Sequence, residues 1–389
     1  MSAIDDVAKV LRRRLVEEAR FESGPADAAT LRYQIATLLT EEALPLDESE
    51  RAVLVDRVLS STVGLGPLEP LMEDPDVDEI MVNGCGTVHV ERRGRIVPTD
   101  VSFTSDEDLM HTIERILSPL GRRVDEATPL ADARLPDGSR VNCVIPPLSL
   151  DGPLLTIRRF RRHAFGAEEL VENHAISGDA MSFLRARVGQ RSNIVVSGGT
   201  GSGKTTLLNV LSSFVEPGER IITIEDAAEL RLQQPHVLRL ESRPPNVEGR
   251  GEVTIRQLVR NALRMRPDRI IVGEVRGAEA LDMLQALNTG HAGSMTTVHS
   301  NSAADALRRI ETLALMADVA LPHVAVRQQV ASAIHLVVHL ERTPQGDRRV
   351  AEIVDVVRFA SQVGVRARYV REGEELSAVG HPGANGSGP

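Results

Sequence analysis

The sequence predicts an α/β protein. Its C-terminal half is a parallel sheet covered by helices, preceded by a small α+β domain and an N-terminal helical module. Three observations predict this. Beyond residue 190, short β-branched runs such as "NIVVSGG", "ERIITIED" and "RIIVGEV" alternate with helix-length amphipathic stretches, the grammar of a parallel sheet covered on both faces. Residues 63–160 instead read as hairpins around one helix. Before them, apolar residues recur at helical spacing.

The elements follow in order. Ile4, Val7, Ala8, Leu11 and Leu15 form one apolar stripe, and Leu31, Ile35, Leu38 and Leu39 a second. Val53, Leu54, Val58 and Leu59 continue a third, which Gly64 and Gly66 end. This module, residues 1–62, is either a cap on the next domain or a docking piece for a partner. In residues 63–160, "TVHVERRGRIVP" is a strand, a glycine turn and a strand. "SDEDLMHTIERILSPLG" is a helix capped by Ser105 or Thr104, with Leu109, Ile113, Ile116 and Leu117 inward. "ARLPDGSRVNCVIPP" is a hairpin around Asp137–Gly138, and "LLTIRRF" is another strand. Residues 161–170 read as a linker and 171–372 as the parallel-sheet domain, with one or two further strands in "RRVAEIVDVVRFASQVGVRARYV". Residues 373–389 read as a disordered tail, because a Gly/Pro/Ser-rich stretch has little to bury.

Composition excludes several classes. No apolar run approaches the ~20 residues of a membrane span, and the first residues carry acids and a periodic pattern rather than an apolar signal core. Cys85 and Cys143 fit no metal or redox spacing and read as thiols in a reducing cytoplasm. A net charge of −10 opposes non-specific nucleic-acid binding. With no Trp, two Tyr and seven Phe, base-stacking platforms are not expected either.

The chemistry begins at "SGGTGSGKTT", residues 197–206. Gly198, Gly203, Lys204 and Thr205 fill every fixed position of G-x-x-x-x-G-K-[ST]. Across Gly198, Gly199, Thr200, Gly201, Ser202 and Gly203, glycines let backbone N–H groups turn inward around a polyphosphate. The helix starting at Lys204, Thr205 and Thr206 adds its partial positive charge. Lys204 is placed to reach the β and γ phosphates and Thr205 to ligate Mg²⁺. The loop is therefore expected to bind a nucleoside triphosphate, read as ATP, and the guanine-reading N-K-x-D tetrapeptide is absent from the sequence.

Further acid and imidazole groups fall at predicted strand ends, where such sheets collect their ligands. "RIIVGE" ends in Glu274, but Gly273 stands where a magnesium-binding aspartate is usual. Glu274 either polarises the attacking water or holds magnesium through water. "IITIED" ends in Glu225 and Asp226. "TGHAGSMTTVHSN" carries His291 and His299, which suit a γ-phosphate sensor or hinge better than a metal site, although either histidine can be structural. Arg256, Arg260 and Arg264 recur every four residues on one helix face. That stripe is either a solvated face or one that meets anions on a neighbouring subunit or nucleotide.

Together, "GGTGSGKTT", "TIEDAAEL", "RIIVGEVRG" and "TGHAGSMTTVHSN" resemble the Walker A, Asp box, Walker B and His box of the type II/type IV secretion and pilus ATPases. "GLGPLEPLMEDPDVDEIMVNG" and "DARLPDGSRVN" are similar to the CpaF/TadA branch, which serves Flp-type tight-adherence pili. The likeness spans roughly residues 55–345, and the Gly273–Glu274 pair is that family's own pattern. It implies a hexameric ring of chains with a RecA-like ATPase domain, nucleotide between the two domains, and closure of the N-terminal domain over ATP. It assigns the water-activating role to Glu225, the Walker B role to Glu274 and the His-box role to His299. Arg158 and Arg159 in "TIRRF" match arginines that reach the phosphates; alternatively, "RRFRR" is a basic linker face. The implied location is cytoplasmic, peripheral to the inner membrane through platform partners, with no direct nucleic-acid contact. Two rivals stay open: a conjugative-type secretion ATPase, and a non-hydrolysing nucleotide-dependent regulator of assembly.

Overall fold

The computed structural model describes residues 28–41, scattered positions between 47 and 58, and 64–379 apart from residues 93, 161–164, 244, 246–249, 360 and 361. The first predicted apolar stripe, Ile4 to Leu15, residues 161–164 of the expected linker and the last ten residues lie outside the described set. The chain divides into two compact units at Arg161/Arg162.

In the N-terminal unit, α1 (Ala28–Glu41) buries Ile35, Leu38 and Leu39, and the following stripe buries Leu54, Val55 and Val58. The short helix α2 (Glu69–Glu73) then leads into a six-stranded antiparallel sheet. Its strands are β1 (Val77–Asn83), β2 (Val88–Arg92), β3 (Arg95–Pro98), β4 (Leu130–Arg134), β5 (Arg140–Val144) and β6 (Leu154–Arg158), in spatial order 3-2-1-6-5-4. Helix α3 (Asp106–Leu117) starts where predicted, with the Ser105 hydroxyl accepting from the Asp108 N–H. Its Leu109, Ile113, Ile116 and Leu117 pack with Ile80, Val90, Val141, Leu155 and Ile157 of the sheet. The alternate residues of the strands form the other face, and there the register matters. Arg134 pairs with Arg140, Arg140 with Arg158, and Arg158 with Glu79, so three arginines and a glutamate stand in one row across four strands.

The second unit begins with α4 (Ala167–Glu172), whose first four residues lie in the stretch expected to be linker, and α5 (Gly178–Gly189). Then come β7 (Ile194–Gly198), α6 (Lys204–Ser213), β8 (Ile221–Glu225), β9 (Val237–Glu241), α7 (Ile255–Ala262) and β10 (Arg269–Val272). They are followed by α8 (Glu279–Asn288), β11 (Met295–His299), α9 (Ala303–Leu315), α10 (His323–Ala333) and β12 (Leu336–Arg342). Six strands are parallel, in order 12-7-11-10-8-9. Strands β7, β8 and β10 are buried along their whole length, as strands with helices on both faces must be. Helices α7–α10 cover one face against Ile224, Val272 and Val298, and α4–α6 the other against Val196, Ile271 and Val338.

The edge beyond β12 differs from expectation. Three antiparallel strands follow: β13 (Arg348–Phe359) and β14 (Gln362–Glu372), in the stretch expected to add one or two, and then β15 (Glu375–Ala378) beyond it. β15 lies in the predicted tail; Leu376 within it is buried, which gives this short stretch an apolar anchor that composition averaged away. Among the described residues, no helix is long and apolar enough to cross a membrane.

The amino ends of β8 and β10 are tied by a buried charge. Arg269 is 1% exposed and makes two bonds to Glu219, at 2.9 and 2.8 Å. It also donates to the carbonyls of Val188 and Gly293. Arg191 adds a second cation on Glu219 at 2.7 Å. Because half of a buried pair is costlier than none, Arg269→Ala should lower the unfolding free energy by about 3–5 kcal/mol in urea titrations of the full chain. A loss under about 1 kcal/mol, the range of exposed pairs, would show that the clamp contributes little.

Candidate functional site: the carboxyl edge of the parallel sheet

Strand β7 sits between β11 and β12, with Gly198 opposite His299 on one side and Leu340 on the other. The chain turns there through the glycine loop into α6. A side chain at Gly198 would place Cβ 2.4 Å from the Leu340 carbonyl oxygen, so only glycine lets the loop leave the strand this closely. The Ser202 hydroxyl closes the loop onto the Gly199 carbonyl at 2.9 Å. Lys204 opens α6 and is 8% exposed. Its ammonium donates to the carbonyls of Gly198 at 3.1 Å and Gly199 at 2.8 Å and lies 3.5 Å from His299 Nε2. The first turn of α6, with Thr205 and Thr206, leaves backbone N–H groups without helical partners, the usual anion-receiving arrangement.

Three neighbouring strand ends bring in the remaining groups. β10 lies between β8 and β11, so Glu225 ends one neighbour, Glu274 follows β10 and His299 ends the other. His299 Nε2 is 3.0 Å from Glu274 Oε1, and Arg276 donates to Glu274 Oε2 at 2.7 Å. Arg276 also lies 3.7 Å from Asp226. Burial, and then the Lys204 charge, lower the His299 pKa below its ordinary value, against the opposing pull of Glu274. Both contacts fall on the same ring nitrogen, so Nε2 can donate to Glu274 or accept from Lys204, but not both at once.

Glu225 is placed differently. It is 3% exposed, and its Oε2 accepts the backbone N–H groups of Glu229 at 2.7 Å and Leu230 at 2.9 Å. Its Oε1 is buried with no partner among the described residues. Burial pushes its pKa up to about 7, against the two N–H donors, which pull it down. Such a carboxylate is matched to accepting a proton near neutrality. Among the described residues no cluster of three or more His, Cys, Asp or Glu could hold a metal unaided. The Thr205 hydroxyl, in the first turn of α6, is the kind of oxygen donor that suits a magnesium ion held largely by phosphates.

The arginines sort themselves less simply than the sequence implies. Arg158 is exposed on the β4–β5–β6 row. Arg159 is turned the other way: its guanidinium donates to the Asp74 carbonyl and, at 2.9 Å, to that of Val77. On α7, Arg256 and Arg260 both grip the buried Asp282 of α8, at 2.7 and 2.6 Å, whereas Arg264 is exposed. An anion does face the stripe, then, but it comes from the same chain. His291 meets the Ala286 carbonyl at 3.3 Å, closing α8.

Several residues escaped the sequence reading. Arg276 lay within the quoted "GEVRG", two residues past Glu274, yet nothing marked its charge as a partner for that glutamate. Asp282 carried no signal, because an acid inside a helix looks like surface. Arg134 and Arg140 flank the Asp137–Gly138 turn, and only the strand order aligns them with Arg158. Arg342 and Arg348, on β12 and β13, lie beside Gly201 and Gly203 of the phosphate loop.

Comparison with known proteins agrees with this architecture. A family model described as type II/IV secretion system protein matches residues 61–373. A putative conjugal transfer protein of Mycobacterium tuberculosis is 40% identical over 304 residues, covering 76% of this chain and 86% of the relative. The type IV secretion system protein PtlH of Bordetella pertussis is 37% identical, with 77% and 96% covered. Among solved structures, the Legionella pneumophila ATPase DotB aligns with a TM-score of 0.53 at 23% identity over 73% of this chain and 78% of that one. The pilus retraction motor PilT with bound ADP aligns with the same score at 21% identity, covering 73% and 80%. Those two likenesses speak to the RecA-like fold. This chain belongs to the type II/IV secretion system protein family.

Proposed function

We propose that this chain is an ATPase motor that works as a homohexameric ring on inner-membrane platform proteins to assemble a Flp-type, tight-adherence pilus. The observation that carries the ATPase reading is the convergence of Glu225, Glu274 and His299, from three adjacent strand ends, beside the Lys204 loop. Lys204 and the first turn of α6 bind and orient the triphosphate. The Thr205 hydroxyl, with Glu274 acting through water, would hold magnesium, which when bound neutralises charge between the β and γ phosphates. Glu225 takes the proton of the attacking water at its unpartnered Oε1. His299 relays the occupancy of the Lys204 side to Glu274. Arg158, in its row with Arg140 and Arg134, supplies positive charge to the γ-phosphoryl group.

The conjugal-transfer names of several relatives favour a second reading, a conjugative-type secretion ATPase with a different cargo. The genes beside this one separate the two. A regulator that binds but does not hydrolyse ATP is separated by a phosphate-release assay.

Lys204→Ala should abolish phosphate release and weaken nucleotide binding, since the β and γ charge loses its counter-ion. Turnover at the wild-type rate in that variant would remove the site from the loop.

The pH dependence tests the base. A glutamate with a pKa of about 7 is active only as the carboxylate, so kcat should be half-maximal near pH 7, approach its plateau about one unit above, and fall about tenfold per unit well below it. An ordinary glutamate would keep its activity to near pH 4.5, the unperturbed carboxylate range. Residual turnover of Glu225→Gln should lack the acid limb; a limb that persists there belongs to another group.

Arg158→Ala should lower kcat far more than it weakens ATP binding, with roughly 10³–10⁵ as the ceiling known for arginines in this role. Arg159→Ala should leave kcat nearly intact and lower the melting temperature, because its guanidinium serves Asp74 and Val77. Equal kcat losses in both variants would contradict the division of labour.

A further inference from the structure

The glycine at position 273 is the one place where the second carboxylate motif departs from the usual aspartate–glutamate pair. Backbone conformation does not explain it, since Gly273 is not among the glycines with positive φ. Space does. A Cβ built on Gly273 would lie 2.8 Å from Cγ of Glu225, 3.5 Å from its Cβ and 3.4 Å from its Oε2. A contact under 3.0 Å with the middle of a side chain cannot be relieved by swinging a free end aside.

Neither partner can retreat cheaply. The Gly273 N–H donates to the Ile224 carbonyl at 2.8 Å, and its own carbonyl accepts from the Thr297 hydroxyl at 2.7 Å, which fixes the backbone on both sides. Val272 and Ile224 are cross-strand partners, so residue 273 comes directly beside Glu225. The Glu225 carboxylate is in turn held by the N–H groups of Glu229 and Leu230. Any side chain at 273 must therefore lift Glu225 off that pair of donors.

We propose that Gly273 is a positioning residue: its bare α-carbon is the surface on which the Glu225 side chain rests, and it acts on hydrolysis solely through that carboxylate. The proposal rests on Glu225 being the base. An aspartate at 273 is excluded twice over, by its Cβ and by a second negative charge beside a buried carboxylate. The loss of the usual metal-side acid and the gain of a buried base on the neighbouring strand are then two sides of one packing arrangement.

The test compares four full-length proteins: wild type, Gly273→Ala, Glu225→Ala and the double variant. kcat with its pH profile, ATP Kd and melting temperature are measured on each. Gly273→Ala should lower kcat by roughly 10- to 100-fold, part of the 10²–10⁴ that a positioned base contributes. ATP Kd should stay within about twofold, the acid limb of kcat should move from about pH 7 and the melting temperature should fall. Against a Glu225→Ala background the same substitution should cost nothing further in kcat or melting temperature, because clash and base have both gone. Equal kcat losses with and without Glu225 would overturn the proposal. If Glu225→Ala alone turns over normally, the general-base reading fails. The seat is still judged by the melting cycle, in which an undiminished loss in the double variant overturns it. Should Gly273→Ala fail to fold, folding of the double variant supports the proposal, and its failure overturns it.

Discussion

The buried contact of Arg269 with Glu219 is the constraint on which the active edge depends. One guanidinium reaches Glu219, two residues before β8, the end of α5 and the loop leading into β11, all while beginning β10 itself. It therefore fixes the amino ends of three adjacent strands relative to one another. Those strands are only four or five residues long, about 13–17 Å at the usual rise. Over such a length, register set at one end is register delivered at the other. Glu274 and His299 emerge 3.0 Å apart at the opposite edge, with Glu225 ending the adjacent strand, because slippage at the clamped edge would leave a charge stranded in the core.

The same edge separates two glutamates that sequence alone left interchangeable. Glu274 is held between His299 and Arg276, with 20% of its side chain exposed. Its charge is answered by Arg276 and the His299 imidazole, so its natural partners are a sensor and an ion. Among the described residues no cation is bonded to Glu225; two backbone N–H groups hold one oxygen while the other is buried without a partner. Environments that differ in this way divide roles between carboxylates. The division favours proton acceptance at Glu225 and electrostatic organisation at Glu274.

Much of this was legible beforehand, and the failures share a cause. The glycine loop, the Ser105 cap and the strands ending at Glu225 and His299 are local patterns, in which a short window contains the whole physical reason. What escaped depends on strand order or on helix-to-helix contact. Asp282 meets Arg256 and Arg260 only because α7 packs on α8. β13 and β14 run to 12 and 11 residues and draw β15 into pairing, although a four-residue strand in a Gly/Pro-rich stretch has no periodicity of its own. Resemblance marked the Gly273–Glu274 pair as a family pattern without a reason, and the neighbouring strand shows what occupies the space at Gly273.

Arg158 and Arg159 show that some of the remainder was recoverable. Successive side chains on a strand point to opposite faces. β6 ends at Arg158, and the Arg159 N–H still donates to the Asp78 carbonyl, so the extended ladder continues through it. Two consecutive arginines there cannot both stand on the open face. Leu155 and Ile157 face the core, which puts residue 158 on the opposite side and sends 159 back beneath the sheet. There a guanidinium persists only if it finds oxygens to satisfy it. The backbone carbonyls of Asp74 and Val77 do that work, tying the turn before β1 to the end of β6. The alternation of a single strand thus distinguishes an arginine available to an anion from one that holds the domain together.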